Sequence, residues 1–181
     1  MLQINKGKVI WLYGRPCSGK TTLSSSIALE LKSRGMLVIN LDGDELRKGI
    51  NSDLGFSLVD RHENIRRTSE IAKLLAEKGF WVVCSLVTPT RELRKLVSNI
   101  MSELDFSLLY IHASLDVCRQ RDVKGHYFKA EAKQLSNFTG ISSPFEEPVS
   151  INDMIDTDKL TIQEATKHCL ELILNTKNVL S

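Results

Sequence analysis

Gly14-Arg15-Pro16-Cys17-Ser18-Gly19-Lys20-Thr21 is the stretch on which the reading of this chain turns. It matches G-x-x-x-x-G-K-S/T at every fixed position. An apolar run, Val9-Ile10-Trp11-Leu12-Tyr13, precedes it, and Leu23, Ile27, Ala28 and Leu31 follow at helical spacing. Strand, glycine-rich loop and helix is the setting in which successive backbone N–H groups turn inward onto phosphate oxygens, with the positive end of the helix adding to them. In that setting Lys20 reaches the β- and γ-phosphates and the Thr21 hydroxyl ligates Mg²⁺. Gly14, Arg15, Pro16, Cys17, Ser18, Gly19, Lys20, Thr21 and Thr22 are therefore the candidate contacts of ATP, with Mg²⁺ as its companion. Pro16 and Cys17 are unusual in such a loop; Cys17 reads as a small filler in preference to a redox-sensitive thiol.

Outward from the loop, the pattern repeats. Residues 36–41, 80–87 and 106–111 are short apolar runs, and 153–156 is a weaker one. Between them lie helical stretches: from Lys20 to a stop at Gly35, from Ser57 to a stop at Gly79, from Arg91 to Met101, and after the capping box Thr161-x-x-Glu164, with Ile162, Ala165, Cys169 and Leu172 on one stripe. Continuous apolar strands separated by helices predict a parallel sheet covered on both faces. The expected fold is α/β, a three-layer α/β/α P-loop kinase fold with a five-stranded parallel sheet in a single domain spanning 1–181. No repeat, linker or low-complexity tract interrupts it. Residues 122–150 are polar and punctuated by Gly125, Gly140, Pro144 and Pro148. So long a connection reads as a functional lid, or else as a surface insertion.

Composition narrows the function. Of 181 residues, 42% are apolar and 25% charged, a soluble globular profile. Lys and Arg number 24 against 22 Asp and Glu, so the basic excess that nucleic-acid binding requires is missing. No apolar run is long enough to span a membrane, and residues 1–8 lack the apolar core of a secretion leader. Cys17, Cys84, Cys118 and Cys169 form no close pair, which points to a reduced, cytoplasmic protein. His62, His112, His126 and His168 show no metal-ligand spacing, so no transition metal is expected. Among users of the phosphate loop, a GTP switch would carry N-K-x-D, which is missing. A motor would end its third strand in an acid, whereas that strand runs into Thr88 and Pro89. The small-molecule kinases remain.

The second run ends in Asp42-Gly43-Asp44. At the carboxyl end of a strand in such a sheet, two carboxylates face the ligand crevice. One can orient Mg²⁺ and one can receive the acceptor's proton; a solvated Asp-Gly turn is the plainer alternative. Arg47, Asn51, Arg61, Asn64, Arg66 and Arg67 follow within a short span. Arg61 and Asn64 share one helix face. Arg47, Arg61 and Asn64 suit an anionic acceptor, while Arg67 reads as a surface residue paired with Glu63 or Glu70.

These residues carry a resemblance. Leu41-Asp-Gly-Asp-Glu-Leu-Arg-Lys-Gly-Ile-Asn-Ser-Asp-Leu-Gly-Phe-Ser57, continuing as Asp60-Arg61-His-Glu63-Asn64-Ile65-Arg66-Arg67, is similar to a signature of the adenylyl-sulfate kinases. Asn137-Phe-Thr-Gly-Ile-Ser-Ser-Pro-Phe-Glu146 resembles a second. The resemblance implies transfer of phosphate from ATP to the 3′-hydroxyl of adenylyl sulfate, with Lys20 and Asp44 as the catalytic pair. It implies acceptor contacts at Asp42, Asp44, Arg47, Asn51, Phe56, Arg61, Asn64, Val87, Thr88, Lys129 and Phe138. Phe56 and Phe138 would stack on either side of the acceptor base, unless both are core residues. A homodimer is the family's habit. Three departures stand out. The loop carries Arg15-Pro16-Cys17 where the family has Leu-Ser-Gly. Val87-Thr-Pro-Thr-Arg91 replaces I-S-P-F/Y-R. In the lid, Phe128 and Glu131 stand where the family has Lys and Arg, with Lys129 and Lys133 as partial compensation. Two other readings follow: a kinase of a related nucleotide such as cytidine diphosphoramidate, or a nucleotide-binding regulatory protein without turnover.

Overall fold

The computed structural model describes residues 7–175; the reading of residues 1–8 as no leader falls largely outside them, as do both ends of the 1–181 span. In chain order the elements are β1 (Lys8–Tyr13), α1 (Lys20–Ser33), β2 (Val38–Asp42), α2 (Gly43–Leu46), α3 (Leu58–Glu77), β3 (Trp81–Leu86), α4 (Arg91–Ile100), β4 (Asp105–His112), α5 (Leu115–Gln120), α6 (His126–Glu131), β5 (Met154–Asp156) and α7 (Ile162–Asn175). The five strands pair in parallel in the order β2-β3-β1-β4-β5. All six residues of β1 are buried, as a central strand covered on both faces must be.

Alternation along the strands divides the core into two layers. Trp11, Cys84 and Leu41 face Ile65, Ala72 and Ala76 of α3 and Val97 of α4. Ile10, Leu12, Val83 and Ile111 face Leu23, Ile27 and Leu31 of α1 and Ala165, Cys169 and Ile173 of α7. This is the expected three-layer α/β/α arrangement. One residue departs from the expected α7 stripe: Ile162, at the first position of the helix, is 53% exposed.

The helix ends follow local chemistry. The Ser57 hydroxyl accepts from the Asp60 N–H at the start of α3, and Thr90 does the same for Leu93 at α4. Thr161 and Glu164 form the expected reciprocal box. The helix α1 differs. Its cap is Gly19, in a left-handed conformation with φ 94° and no side-chain cap, so its first amides are left for a ligand. No described helix is long and apolar enough to cross a membrane.

The stretch 122–150 is anchored, not loose. It contains α6, whose Tyr127 and Ala130 are buried together with Phe138 against Ala113 and Cys118. Tyr127 donates its hydroxyl to the Pro16 carbonyl at 2.9 Å, joining this layer to the phosphate loop.

Candidate active site

The carboxyl ends of β1, β2 and β3 open onto a cavity of about 470 Å³, the place where a doubly wound sheet leaves room for ligands. At one end stands the phosphate loop. Gly14 passes so close to β4 that a Cβ there would lie 2.2 Å from the Ile111 carbonyl oxygen, which only glycine permits. Ser18 is fully buried, and Pro16, Cys17, Lys20 and Thr21 line the cavity. Cys17 packs against the small core holding Cys118 and Tyr127, as a filler would. Burial pushes its thiol pKa up. Arg15 does not line the cavity, and Thr22 turns to the other side.

Lys20 is folded onto its own loop. Its Nζ donates to the Arg15 carbonyl at 2.6 Å and to Ser18 Oγ at 3.4 Å. Burial pulls its pKa down to about 8. A nearby anion would reverse that shift.

Asp42 ends β2 and is engaged on both oxygens. Oδ2 accepts from Thr21 Oγ1 at 2.8 Å and Ser85 Oγ at 2.7 Å; Oδ1 accepts from the Asp44 and Glu45 amides that open α2. Burial alone would raise its pKa, but these bonds outweigh burial and hold the carboxyl below its ordinary value. Asp44 is exposed, and Lys124 Nζ lies 3.2 Å from its Oδ2.

At the other end lie two guanidiniums. Arg47 donates to the Leu54 and Gly55 carbonyls. Arg61 donates to the Phe56 and Asn137 carbonyls. Both stand over the Phe56 ring, at 4.5 and 5.7 Å. Among the described residues neither has a carboxylate within salt-bridge distance. Burial lowers the pKa of each, and Arg47 lowers that of Arg61 further. Arg47 is half-buried and Arg61 buried, and although Asp44 and Asp60 act on Arg47 from a distance, burial outweighs them, a cost that an anionic ligand would reduce. Asn64 lines the cavity beside them. Phe138 also lines it and is buried, edge-on to Tyr127 at 4.8 Å and His126 at 6.2 Å. Val87 and Thr88 form the wall beyond β3.

Two expected acceptor contacts lie elsewhere. Asn51 is fully buried outside the cavity lining, and donates to Asn64 Oδ1 at 3.0 Å, so it orients the asparagine that does line the cavity. Lys129 is exposed on the outer side of α6, away from the cavity. The lid lysine in the cavity is Lys124 instead. The charge reversal at Glu131 also stays outside: Arg119 pairs with it at 2.8 Å, so the compensation comes from α5 and not from Lys129 or Lys133. Phe128 is 73% exposed. Arg67 is a surface residue held by Glu63 and Asp53, as its spacing suggested.

The structure adds residues that the sequence did not single out. Lys124, Asp122 and His126 come into the cavity from the lid. A smaller hollow, about 190 Å³, flanks the phosphate loop between Arg121, Thr157, Leu160 and Ile162. His112, Asp156 and Asp158 bring one ligand atom each within 4.8 Å of one another, but the carboxylates already serve Lys159 and the Ser114 amide.

A triphosphate-type loop, a carboxylate pair beside it and two arginines at the other end of one cavity, all on one parallel sheet, define a P-loop kinase. Comparisons with known proteins give the particular family. The family model described as adenylylsulphate kinase matches residues 6–156. The adenylyl-sulfate kinase of Phocaeicola vulgatus is 44% identical over 93% of this chain and 83% of its own length. That of Bacillus velezensis is 42% identical over 94% and 87%. An APS kinase of Mycobacterium tuberculosis, solved in complex with AMPPNP and APS, superimposes with a TM-score of 0.90 at 35% identity, covering 94% of this chain and 99% of that one. The chain belongs to the adenylyl-sulfate kinase family, a family of phosphotransferases.

Proposed function

We propose that the protein transfers the γ-phosphoryl group of ATP to the 3′-hydroxyl of adenylyl sulfate, giving 3′-phosphoadenylyl sulfate and ADP. The observation that carries the reading is the pair Arg47 and Arg61, which have no salt-bridge partner among the described residues, at the far end of the cavity that begins at Lys20. A nucleotide bearing anionic groups fits between them, with Phe138 and the half-exposed Phe56 as faces for its base. The smaller hollow beside Gly19 suits the base of ATP. The lid departures lie outside the cavity, which favours adenylyl sulfate over another acceptor nucleotide.

Phosphoryl transfer asks the protein mainly for positioning and charge neutralisation. The inward amides of the loop and the α1 N-terminus hold the phosphates. Lys20 leaves the Arg15 carbonyl for the β- and γ-phosphate oxygens. The hydroxyl of Thr21 beside an ionised Asp42 would hold Mg²⁺, which would supply positive charge against the phosphates. Asp44 orients the acceptor hydroxyl and receives its proton. Lys124, reaching Asp44 from the lid at 3.2 Å, ties the lid to the acceptor side of the cavity. Homodimeric assembly and a cytoplasmic location complete the reading; the four free thiols suit a reducing compartment.

The test offers purified protein, ATP and Mg²⁺ with adenylyl sulfate, cytidine diphosphoramidate or nucleoside monophosphates, and follows ADP release. Turnover with adenylyl sulfate is expected. Turnover with the cytidine compound alone overturns the acceptor, and none with any acceptor leaves a regulatory protein.

A further inference from the structure

Arg15 occupies a variable position of the phosphate loop at which the family pattern has leucine, and its side chain leaves the cavity altogether. It runs to the far end of the lid. Nη2 meets Glu147 Oε1 at 2.5 Å. The guanidinium lies 5.0 Å over the Phe145 ring, and Nη1 is 3.2 Å from where a Cβ on Gly140 would sit. The other Glu147 oxygen accepts from the Tyr110 hydroxyl at 2.5 Å, and Tyr110, in β4, stacks on Phe145 with centroids 6.0 Å apart. From α4, Arg94 donates to the Glu146 carbonyl at 2.8 Å and the Arg91 amide to the Glu146 carboxylate at 2.6 Å. The segment 145–147 is thus strapped to the sheet and α4, and Arg15 joins that strap to the phosphate loop. The main-chain carbonyl of the same residue holds Lys20 Nζ.

We propose that Arg15 is a positioning residue for the donor nucleotide. Through Glu147 and Phe145 it sets the phosphate loop against the strap, and so sets the carbonyl from which Lys20 departs, without touching either substrate. The charged pair is a unit. With leucine in place of Arg15, Glu147 keeps its charge against Tyr110 without its ion-pair partner, and the charge of Arg94 acts on it from farther off. Removing both charges leaves leucine beside the Phe145 ring with no unpaired carboxylate next to it.

The inference rests on the loop being the ATP site, so the test reads donor binding without an acceptor. AMPPNP affinity with Mg²⁺ is measured by calorimetry for the full chain and for Arg15→Leu, Arg15→Lys, Glu147→Gln and the double variant Arg15→Leu/Glu147→Gln. In parallel, the KM for adenylyl sulfate is determined. Arg15→Leu should weaken AMPPNP about three- to tenfold, Arg15→Lys should retain most of the affinity, and the double variant should return to within about twofold of wild type. The KM for adenylyl sulfate should stay unchanged. Additive losses in the double variant, or an unchanged affinity in Arg15→Leu, overturn the inference; so does an equal loss at the acceptor. If Arg15→Leu loses its far-ultraviolet dichroism, Arg15→Lys against Glu147→Gln carries the comparison. A wild type that binds AMPPNP but does not phosphorylate adenylyl sulfate overturns the proposed reaction, and the variants still decide this one.

Discussion

Replacing Lys20 with methionine removes an ammonium group and keeps most of its stem. Lys20 is only 8% exposed, and burial moves its pKa from the ordinary 10.5 to about 8. At about 1.4 kcal/mol for each tenfold in acidity, that displacement withdraws about 3 kcal/mol of stability from the folded protein. The folded pKa lies below the unfolded one. Between about pH 8 and pH 10.5 the unfolded chain therefore holds a proton that the folded chain does not, and stability rises with pH across that window. Below pH 8 the full burden is present. Methionine lifts it, less about 1 kcal/mol for leaving the Arg15 carbonyl without its donor. Lys20→Met should then be more stable than wild type by about 1–2 kcal/mol at pH 7, a rise in Tm of about 3–6 °C for a chain of this size. Its transfer rate should fall at least about a hundredfold, the scale of losing a preorganised charge donor. Urea unfolding at pH 7 and pH 10, beside an ADP-release assay, reads both. A variant less stable than wild type at pH 7, or a difference that does not shrink at pH 10, refutes the claim that burial of this charge strains the unliganded fold.

Two further outcomes follow from the cavity walls. Phe138→Ala should weaken acceptor binding by about 1–3 kcal/mol, the range for a base losing an aromatic face, while the KM for ATP changes little; an unmoved acceptor KM would make Phe138 a packing residue alone. Restoring the family residues with Phe128→Lys and Glu131→Arg should alter the KM for adenylyl sulfate by less than about twofold, because both positions lie outside the cavity; a tenfold change, measured in the same assay, would place them against substrate.

Legibility in the sequence followed the range of the interactions. The five strands, the phosphate loop and the ends of α1 and α3 depend on local period and on Gly35, Gly79 and Ser57, and all were readable. The short helices α2, α5 and α6 were not. At four to six residues they are too short for periodicity, and side-chain caps at Asp42 and Ser114 or tertiary packing hold them. The same limit explains Lys129 and Lys124. Without a periodic face on α6, nothing local says which lid lysine turns inward. Asn51 was placed in the right neighbourhood but one contact too far forward, because its partner Asn64 lies thirteen positions away on another element. The pairing of Arg15 with Glu147 spans 132 positions and left no trace in either neighbourhood.

Thr88 has φ 40°, a left-handed backbone that β-branched residues seldom adopt. Trp11 Nε1 donates to its hydroxyl at 2.9 Å, and Arg94 donates to its carbonyl at 3.2 Å. Those two grips hold a kink worth of order 1–3 kcal/mol. The kink falls just past Leu86, where Val87, Thr88 and Pro89 line the cavity. That wall of the cavity is in this sense a held turn: the chain leaves the third strand in a conformation its residue resists, and a tryptophan from the neighbouring strand keeps it there.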